Sequence, residues 1–233
     1  MTYNIHHGEG MDGRLDLERI ARVIREQQAD VVALQEVDKH VARTGRRDLP
    51  AELAALTGMT CIFSNNHEYQ GGEYGNAVLS RFPVVCWTNT HYPKVNETEQ
   101  RGLLLLTLKV GRREVLLMAT HLDYRPDDRA RWADVGEIET IARQAGNRPV
   151  ILCGDFNAVP DSRICRRLAE SFDDVWAVAG GVAGETFPAD APARRIDYIW
   201  TVRGSPLKPR RAWVPASTAS DHRPSLAEFE WVR

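Results

Sequence analysis

Apolar and polar positions follow two rhythms in this chain, and the rhythms take turns. Residues 17–28 carry Leu17, Ile20, Ala21 and Ile24 at the i, i+3, i+4, i+7 spacing of one helical face. Asp16 suits the N-cap, and Glu18 suits the positive end of the helix dipole. On either side lie the short apolar runs Thr2-Tyr3-Asn4-Ile5 and Val31-Val32-Ala33-Leu34-Gln35, the second ending at Glu36. Such runs read as strands. Strand, helix and strand in that order predict a unit with two parallel strands, whose ends bring Asn4 and Glu36 to one edge. Ligands of open α/β sheets bind beyond that edge.

The order repeats later. Residues 101–110 and 115–120 read as two strands around the turn Gly111-Arg112-Arg113. The second ends at His121. A helix near 128–145 buries Trp132, Val135 and Ile138. The run Pro149-Val150-Ile151-Leu152-Cys153 then leads into Gly154-Asp155-Phe156-Asn157. Between the units, a helix is predicted at 49–57, with Asp48 as cap, Pro50 in the first turn and Gly58 as stop. Strands are predicted at 61–63, 76–80 and 84–87, a loop at 71–75 and an irregular stretch at 88–100. Beyond the second unit come a short helix at 162–170 capped by Asp161, strands at 175–178 and 195–200, and a last strand in which Ala227, Phe229 and Trp231 alternate with Glu228 and Glu230. No repeat of fixed period is present.

Composition bounds the rest. The chain has 233 residues, 43% of them hydrophobic, enough for one substantial core and hence one domain. No apolar run approaches the roughly 20 residues of a membrane span. Residues 1–4 lack the basic and apolar regions of a signal peptide. Cys61, Cys86, Cys153 and Cys165 form no C-x-x-C pair and read as buried free thiols. Both features point to the cytoplasm, although a start inside the first strand leaves room for an upstream segment. The net charge of −2 lacks the basic excess of many nucleic-acid binders. One basic run, 203–211 with Lys208, Arg210 and Arg211, is either a solvated loop or a phosphate-facing rim.

Polar groups fall at strand ends or beside them: Asn4, Glu36, His121, Asp155, Asn157, Asp197, Asp221 and His222. Each alone has an ordinary reading as a turn cap, a surface ion pair or a hydrogen-bonded core histidine. Asp155 and Asn157 share a face if the backbone stays extended, or hold a turn if it does not. Gly154 permits unusual backbone angles or a close approach. Together, acidic groups converging on one edge repel and are costly to desolvate unless a cation sits among them. Carboxylates and amides without a cysteine cluster favour Mg²⁺ or Mn²⁺ over zinc. Two histidines add acid–base chemistry near neutral pH. Neither a G-x-S-x-G elbow nor a Walker A loop is present. Oxygen-ligated metal with histidine suits attack of water on a phosphoester.

Six segments, in order, carry a resemblance: Thr2-Tyr3-Asn4-Ile5, Leu34-Gln35-Glu36-Val37, Thr120-His121-Leu122-Asp123, Gly154-Asp155-Phe156-Asn157, Arg195-Ile196-Asp197-Tyr198-Ile199 and Ser220-Asp221-His222. They resemble the motifs of the endonuclease/exonuclease/phosphatase superfamily, the DNase I-like metal-dependent phosphoesterases, over nearly the whole chain. The resemblance implies a four-layer α/β sandwich, two facing mixed sheets with helices outside. It implies Glu36 as the main Mg²⁺ ligand, with Asn4 and Asp221 completing or supporting the site. Asp155 would orient or deprotonate water or bind a second metal, Asn157 would hold a phosphate oxygen, and His121 would stabilise the transition state. His222 would act as general base or touch the phosphate, Asp197 would support a histidine, and Arg101 resembles an arginine near the phosphate or else makes a surface salt bridge.

The departures from the family pattern bear on substrate class. Asp38 stands where the DNA-directed deoxyribonuclease I type has arginine, and Thr120-His121-Leu122-Asp123 looks more like members acting on phospholipids, inositol phosphates or other phosphodiesters. The expectation is a Mg²⁺-dependent phosphodiesterase on a small molecule or lipid headgroup. A nuclease is the alternative, and a non-catalytic scaffold of the same fold a third. His6, His7, Glu73 and Tyr74 fall in loops near the metal edge, as shapers of specificity or as ordinary loop residues.

Overall fold

A computed structural model describes residues 1–95, 99–182 and 184–232. Strand β1 (Thr2–Asn4) pairs in parallel with β2 (Val31–Lys39), opposing Asn4 to Gln35, and helix α1 (Leu17–Glu26) connects them. Asp16 caps α1 by accepting from Arg19 N at 3.3 Å, and Leu17, Ile20, Ala21 and Ile24 are buried as spaced. The helix stops at Glu26, before the predicted end at 28, because Gln28 takes left-handed backbone (φ 51°). Strand β2 does not end at Glu36. It continues to Lys39 through a bulge between Leu34 and Val37, with Glu36 at φ 59°. A bulge re-aims a side chain without ending the pairing.

Helix α2 (Leu49–Thr57) has the predicted cap, Asp48 accepting from Ala51 N at 3.0 Å, and the predicted left-handed stop at Gly58. The hairpin that follows is longer than predicted: β3 runs Thr60–Tyr69 and β4 Gly72–Ser80, so most of the supposed loop at 71–75 is strand. Residues 64–69 are polar on both faces, which hides a strand from apolar alternation. The first sheet is ordered β1-β2-β4-β3.

The second sheet contains β5 (Val84–His91), β6 (Gly102–Val110), β7 (Arg113–His121), β8 (Val150–Asp155), β9 (Phe172–Asp174) and β10 (Asp197–Val202), in the order β5-β6-β7-β8-β10-β9. The irregular stretch predicted at 88–100 is strand as far as His91, and its residues 96–98 lie outside the described residues. Helix α3 (Arg129–Gln144) links the parallel strands β7 and β8. Trp132, placed on its buried stripe, is 39% exposed and lies under the guanidiniums of Arg163 and Arg167. Helix α4 (Arg163–Ser171) is capped by Ser162, not Asp161. The strand predicted at 175–178 is a short helix, α5 (Val175–Ala179), because Asp174 accepts from Trp176 N at 3.0 Å and starts a turn. Half of the basic run is strand as well: β11 (Leu207–Trp213) pairs with β12 (Leu226–Trp231), setting Lys208 opposite Glu230 and Arg211 opposite Glu228.

Period two sorts the core into layers. Val32 and Leu34 pack with Ile20, Ile24 and Leu53 under α1 and α2. Leu103, Met118 and Leu152 pack with Val135, Ile138 and Leu168 under α3 and α4. The residues between them in sequence, Ala33, Leu104, Leu117, Ala119 and Cys153, meet in the space between the sheets. The result is the four-layer α/β sandwich, two facing mixed sheets with helices outside. No helix among the described residues is long and apolar enough to cross a membrane. All four cysteines are free, but Cys86 is exposed and Cys61 half-buried, so burial holds only for Cys153 and Cys165.

Candidate active site

Register delivers the polar groups to one edge. Parallel pairing of β7 with β8 opposes His121 to Asp155, and antiparallel pairing of β10 with β8 opposes Asp197 to Asp155. Gly154 lies so near β7 that an added Cβ would sit 1.9 Å from the Thr120 carbonyl oxygen, the close approach that glycine permits. The backbone turns at Asn157 (φ 47°) instead of staying extended. Asp155 Oδ1 accepts from Asn157 N at 2.9 Å, so both side chains reach the site around an Asp-held turn.

Asn4 is the hub on the other sheet. Its Nδ2 donates to Glu36 Oε1 at 2.9 Å and to Asp155 Oδ2 at 3.1 Å, and its Oδ1 accepts from His6 N at 3.1 Å. Asn157 Nδ2 lies 3.2 Å from His121 Nε2 and donates to the Leu122 carbonyl at 3.1 Å. Arg101 is buried, not on the surface; its Nη1 donates to His121 Nδ1 at 3.1 Å and its Nη2 reaches Glu99 at 3.0 Å. On the far side His222 Nδ1 donates to Asp197 Oδ2 at 2.8 Å, and Thr186 Oγ1 donates to the same oxygen at 2.5 Å. Asp155 Oδ2 is 3.5 Å from His121 Nε2 and 3.7 Å from His222 Nε2. Asp221 is half-buried beside this group, within 3.2 Å of Ser220 Oγ, which donates to the Asn4 carbonyl at 2.8 Å.

The electrostatics are uneven. Burial, then Asp197, pushes the Asp155 carboxyl up to about 7. Burial, then the positive charges of Arg101 and His222, holds His121 well below the usual histidine range. Burial works against a charged His222 too, but the Asp197 and Asp155 carboxylates outweigh it and raise His222 to about 10. One atom each of Asp155, Asp197 and His222 lie within 4.8 Å of one another, and so do one atom each of His6, His7 and Glu36. Asp197 Oδ1 is buried with no hydrogen-bond partner.

Above these groups is a pocket of about 280 Å³, lined by Glu36, Arg101, His121, Asp155, Asn157 and His222. Asn4 and Asp197 are buried out of it. The rest of the wall is Arg43, His67, Tyr69, Tyr74, Glu99 and Tyr124. Of these, only Tyr74 lies in a segment that the sequence predicts near this edge. The others come from the far end of the β3–β4 hairpin and from loops; the aromatic residues around Gly71-Gly72 are a sequence signal for His67 and Tyr69, and none exists for Arg43, Glu99 and Tyr124. Asp38, noted for replacing an arginine, is fully buried and accepts from Arg43 Nε and Nη2, both at 2.8 Å. Lys208, Arg210 and Arg211 do not line this pocket.

Residues 1–222 match the Endonuclease/Exonuclease/phosphatase family. The uncharacterized protein YbhP of Escherichia coli is 28% identical over 98% of this chain and 94% of its own length. A 5'-tyrosyl-DNA phosphodiesterase of Caenorhabditis elegans is 26% identical over 77% of this chain and 48% of its own length. Among solved structures, a mannosyl-6-phosphatase of Bacteroides thetaiotaomicron superposes with a TM-score of 0.83 at 19% identity, covering 99% of this chain and 98% of that one.

Proposed function

Because this chain belongs to the endonuclease/exonuclease/phosphatase family of phosphoester hydrolases, we propose that it hydrolyses a small organic phosphoester, preferentially a phosphodiester, with a divalent cation, Mg²⁺ or Mn²⁺. The observation that carries the reading is convergence: Glu36, Arg101, His121, Asp155, Asn157 and His222, from both sheets, line one pocket. The residues fit a cation. Glu36 and Asp155 carboxylates both turn toward one Asn4 amide, and Asp197 keeps a buried carboxylate oxygen without a partner. Glu36 would hold the ion, with Asn4 and Asp221 completing or supporting its shell. A bound cation would neutralise charge developing on the phosphoryl oxygens.

The protein's own groups supply the rest. Asp155 sits between two imidazoles and would orient a water and take its proton. Asn157 offers an amide to a phosphate oxygen. His121, held by Arg101, faces the same phosphate and stabilises the transition state. His222 is oriented by Asp197, which fixes its Nδ1 and leaves Nε2 toward Asp155.

Three features support a small substrate over a nucleic acid. The pocket is about 280 Å³. Its two arginines are already committed, Arg43 to Asp38 and Arg101 to Glu99, so neither is a spare cation for a polyanion. Tyr69, Tyr74, Tyr124 and His67 offer flat ring faces to the organic part of a phosphoester. The test is a phosphoester panel with and without Mg²⁺ or Mn²⁺, run alongside plasmid, single-stranded and abasic DNA. Metal-dependent turnover of a small phosphodiester, abolished in Glu36→Ala and in Asp155→Ala with the fold intact, is the expected result. Full activity in either variant rejects the mechanism. Efficient DNA cleavage at physiological salt instead assigns a nuclease, and no hydrolysis of any substrate returns the scaffold reading.

A further inference from the structure

His6 and His7 have no part in that mechanism, yet the fold strains to place them. Both hold left-handed backbone, φ 43° and 45°, directly after β1. A side chain in that region carries a steric cost, and consecutive cases persist only where surrounding structure imposes them. Here the Asn4 side chain imposes the turn by accepting from His6 N at 3.1 Å. Glu36 faces the same turn from the bulge of β2, also at positive φ. The three side chains converge, one atom from each lying within 4.8 Å of the others.

The imidazoles are also incompletely satisfied. Nδ1 of His6 and Nδ1 of His7 are both buried without a hydrogen-bond partner. His7 as a whole is only 9% exposed. Buried polar atoms of this kind call for a partner, an ion included. A further carboxylate stands close, with Glu9 Oε2 3.6 Å from His7 Nε2.

We propose that His6, His7 and Glu36 form a transition-metal site that takes Mn²⁺, Fe²⁺, Co²⁺ or Zn²⁺ in preference to Mg²⁺. Imidazole nitrogen suits these ions, whereas Mg²⁺ selects oxygen donors. Two imidazoles and one carboxylate leave coordination positions open. Glu36 lines the pocket, so the site borders it. The inference stands without the hydrolase reading and shares one residue with it.

The test is pulsed electron paramagnetic resonance on the full chain, stripped with chelator and reloaded with Mn²⁺. Directly coordinated imidazole nitrogen is expected in the wild type and is lost in the double variant His6→Asn/His7→Asn. Asparagine tolerates positive φ, so the turn is kept. Calorimetry should show the Mn²⁺ Kd rising at least about tenfold in that variant, since even loss of a ligand's outer-shell partner costs about 10–100-fold in metal affinity, with the Mg²⁺ Kd little changed. Absence of nitrogen coupling in the wild type overturns the site. So does its persistence in the double variant, which assigns the nitrogen to His121 or His222. If circular dichroism shows the double variant unfolded, His6→Asn alone decides: retention of both nitrogen couplings overturns the site. Mg²⁺-supported hydrolysis without nitrogen-bound Mn²⁺ rejects this site and keeps the hydrolase; nitrogen-bound Mn²⁺ in an inert chain does the reverse.

Discussion

Two openings in the sandwich invite comparison. At the end where the parallel strands finish, Glu36, His121, Asp155, Asn157 and His222 line about 280 Å³. Where those strands begin, a cavity of about 450 Å³ is lined by Val31, Phe82, Leu108, Leu117, Ile199, Phe229 and Trp231, among others. The roomier cavity is mostly hydrocarbon and holds neither of the two metal-ligand-type clusters found among the described residues. Volume therefore does not distinguish the end proposed to be functional; convergence of polar groups from several strands does. Strand direction explains the asymmetry. A parallel strand–helix–strand unit sends its returning helix over the sheet face and leaves both strand ends open to the same side.

The sharpest way to break the comparison is at the polar end. His222→Ala should lower kcat/KM for a turned-over phosphodiester by about 10²–10⁴-fold, the usual span for a lost acid–base group. A change under threefold would remove His222 from the chemistry. Asp197→Asn should cost less, about 10–100-fold, because Asp197 is buried out of the pocket and acts through His222, which it orients and keeps charged. The loss should fall on kcat with KM steady, in steady-state assays; a loss confined to KM contradicts an orienting role.

The apolar end should respond in the opposite currency. Leu117 is 4% exposed and lines the cavity. Leu117→Ala should lower stability by about 2–3 kcal/mol in urea unfolding, the low end for a buried leucine because space is already open beside it. Its kcat/KM, measured well below the melting temperature, should stay within twofold. Loss of activity from a folded variant would mean that the two ends are coupled.

A buried acid outside both openings sharpens the contrast further. Asp134 on α3 is 3% exposed, and burial, then Asp123, pushes its carboxyl up to about 7, as high as Asp155. Its folded value lies above the unfolded value of 3.8. The folded state therefore holds the proton more tightly, and Asp134 costs stability progressively as pH rises from about 4 to 7. Asp134→Asn should stabilise the chain more at pH 8 than at pH 5, by roughly 2 kcal/mol in urea titrations. An equal effect at both pH values would show that Asp134 is ionised in the fold throughout. Activity should fall less than threefold, since Asp134 lies outside the pocket that holds His121 and Asp155 and reaches it only through the charge of Arg101.

Legibility varied with how local each feature was. Helix α2 was readable to the residue because Asp48, Pro50 and Gly58 act within one turn of where they stand. Both parallel units were readable from apolar runs of fixed period. The span 175–178 reads as a strand in sequence but is helix, because a short apolar run suits either and the Asp174 side chain decides for the helix. Residues 64–69 and 207–213 were missed as strands because their faces are polar, and only pairing with β4 and β12 reveals them.

By itself the sequence determined the single elements and which polar groups stand in or beside them: apolar residues in period two and period 3.6, and acids, amides and histidines in or next to strands. These follow from the geometry of single elements, which repeat every 2 or 3.6 residues wherever they occur. Tertiary structure alone decided how those groups meet. Asn4 bonds Asp155 across 151 residues, and Ser220 bonds Asn4 across 216. The bulge that aims Glu36, the burial of Arg101 against His121 and the commitment of Arg43 to Asp38 arise from cross-strand register and from charge taken out of water. No local rhythm encodes these, because each depends on which distant backbone lies opposite.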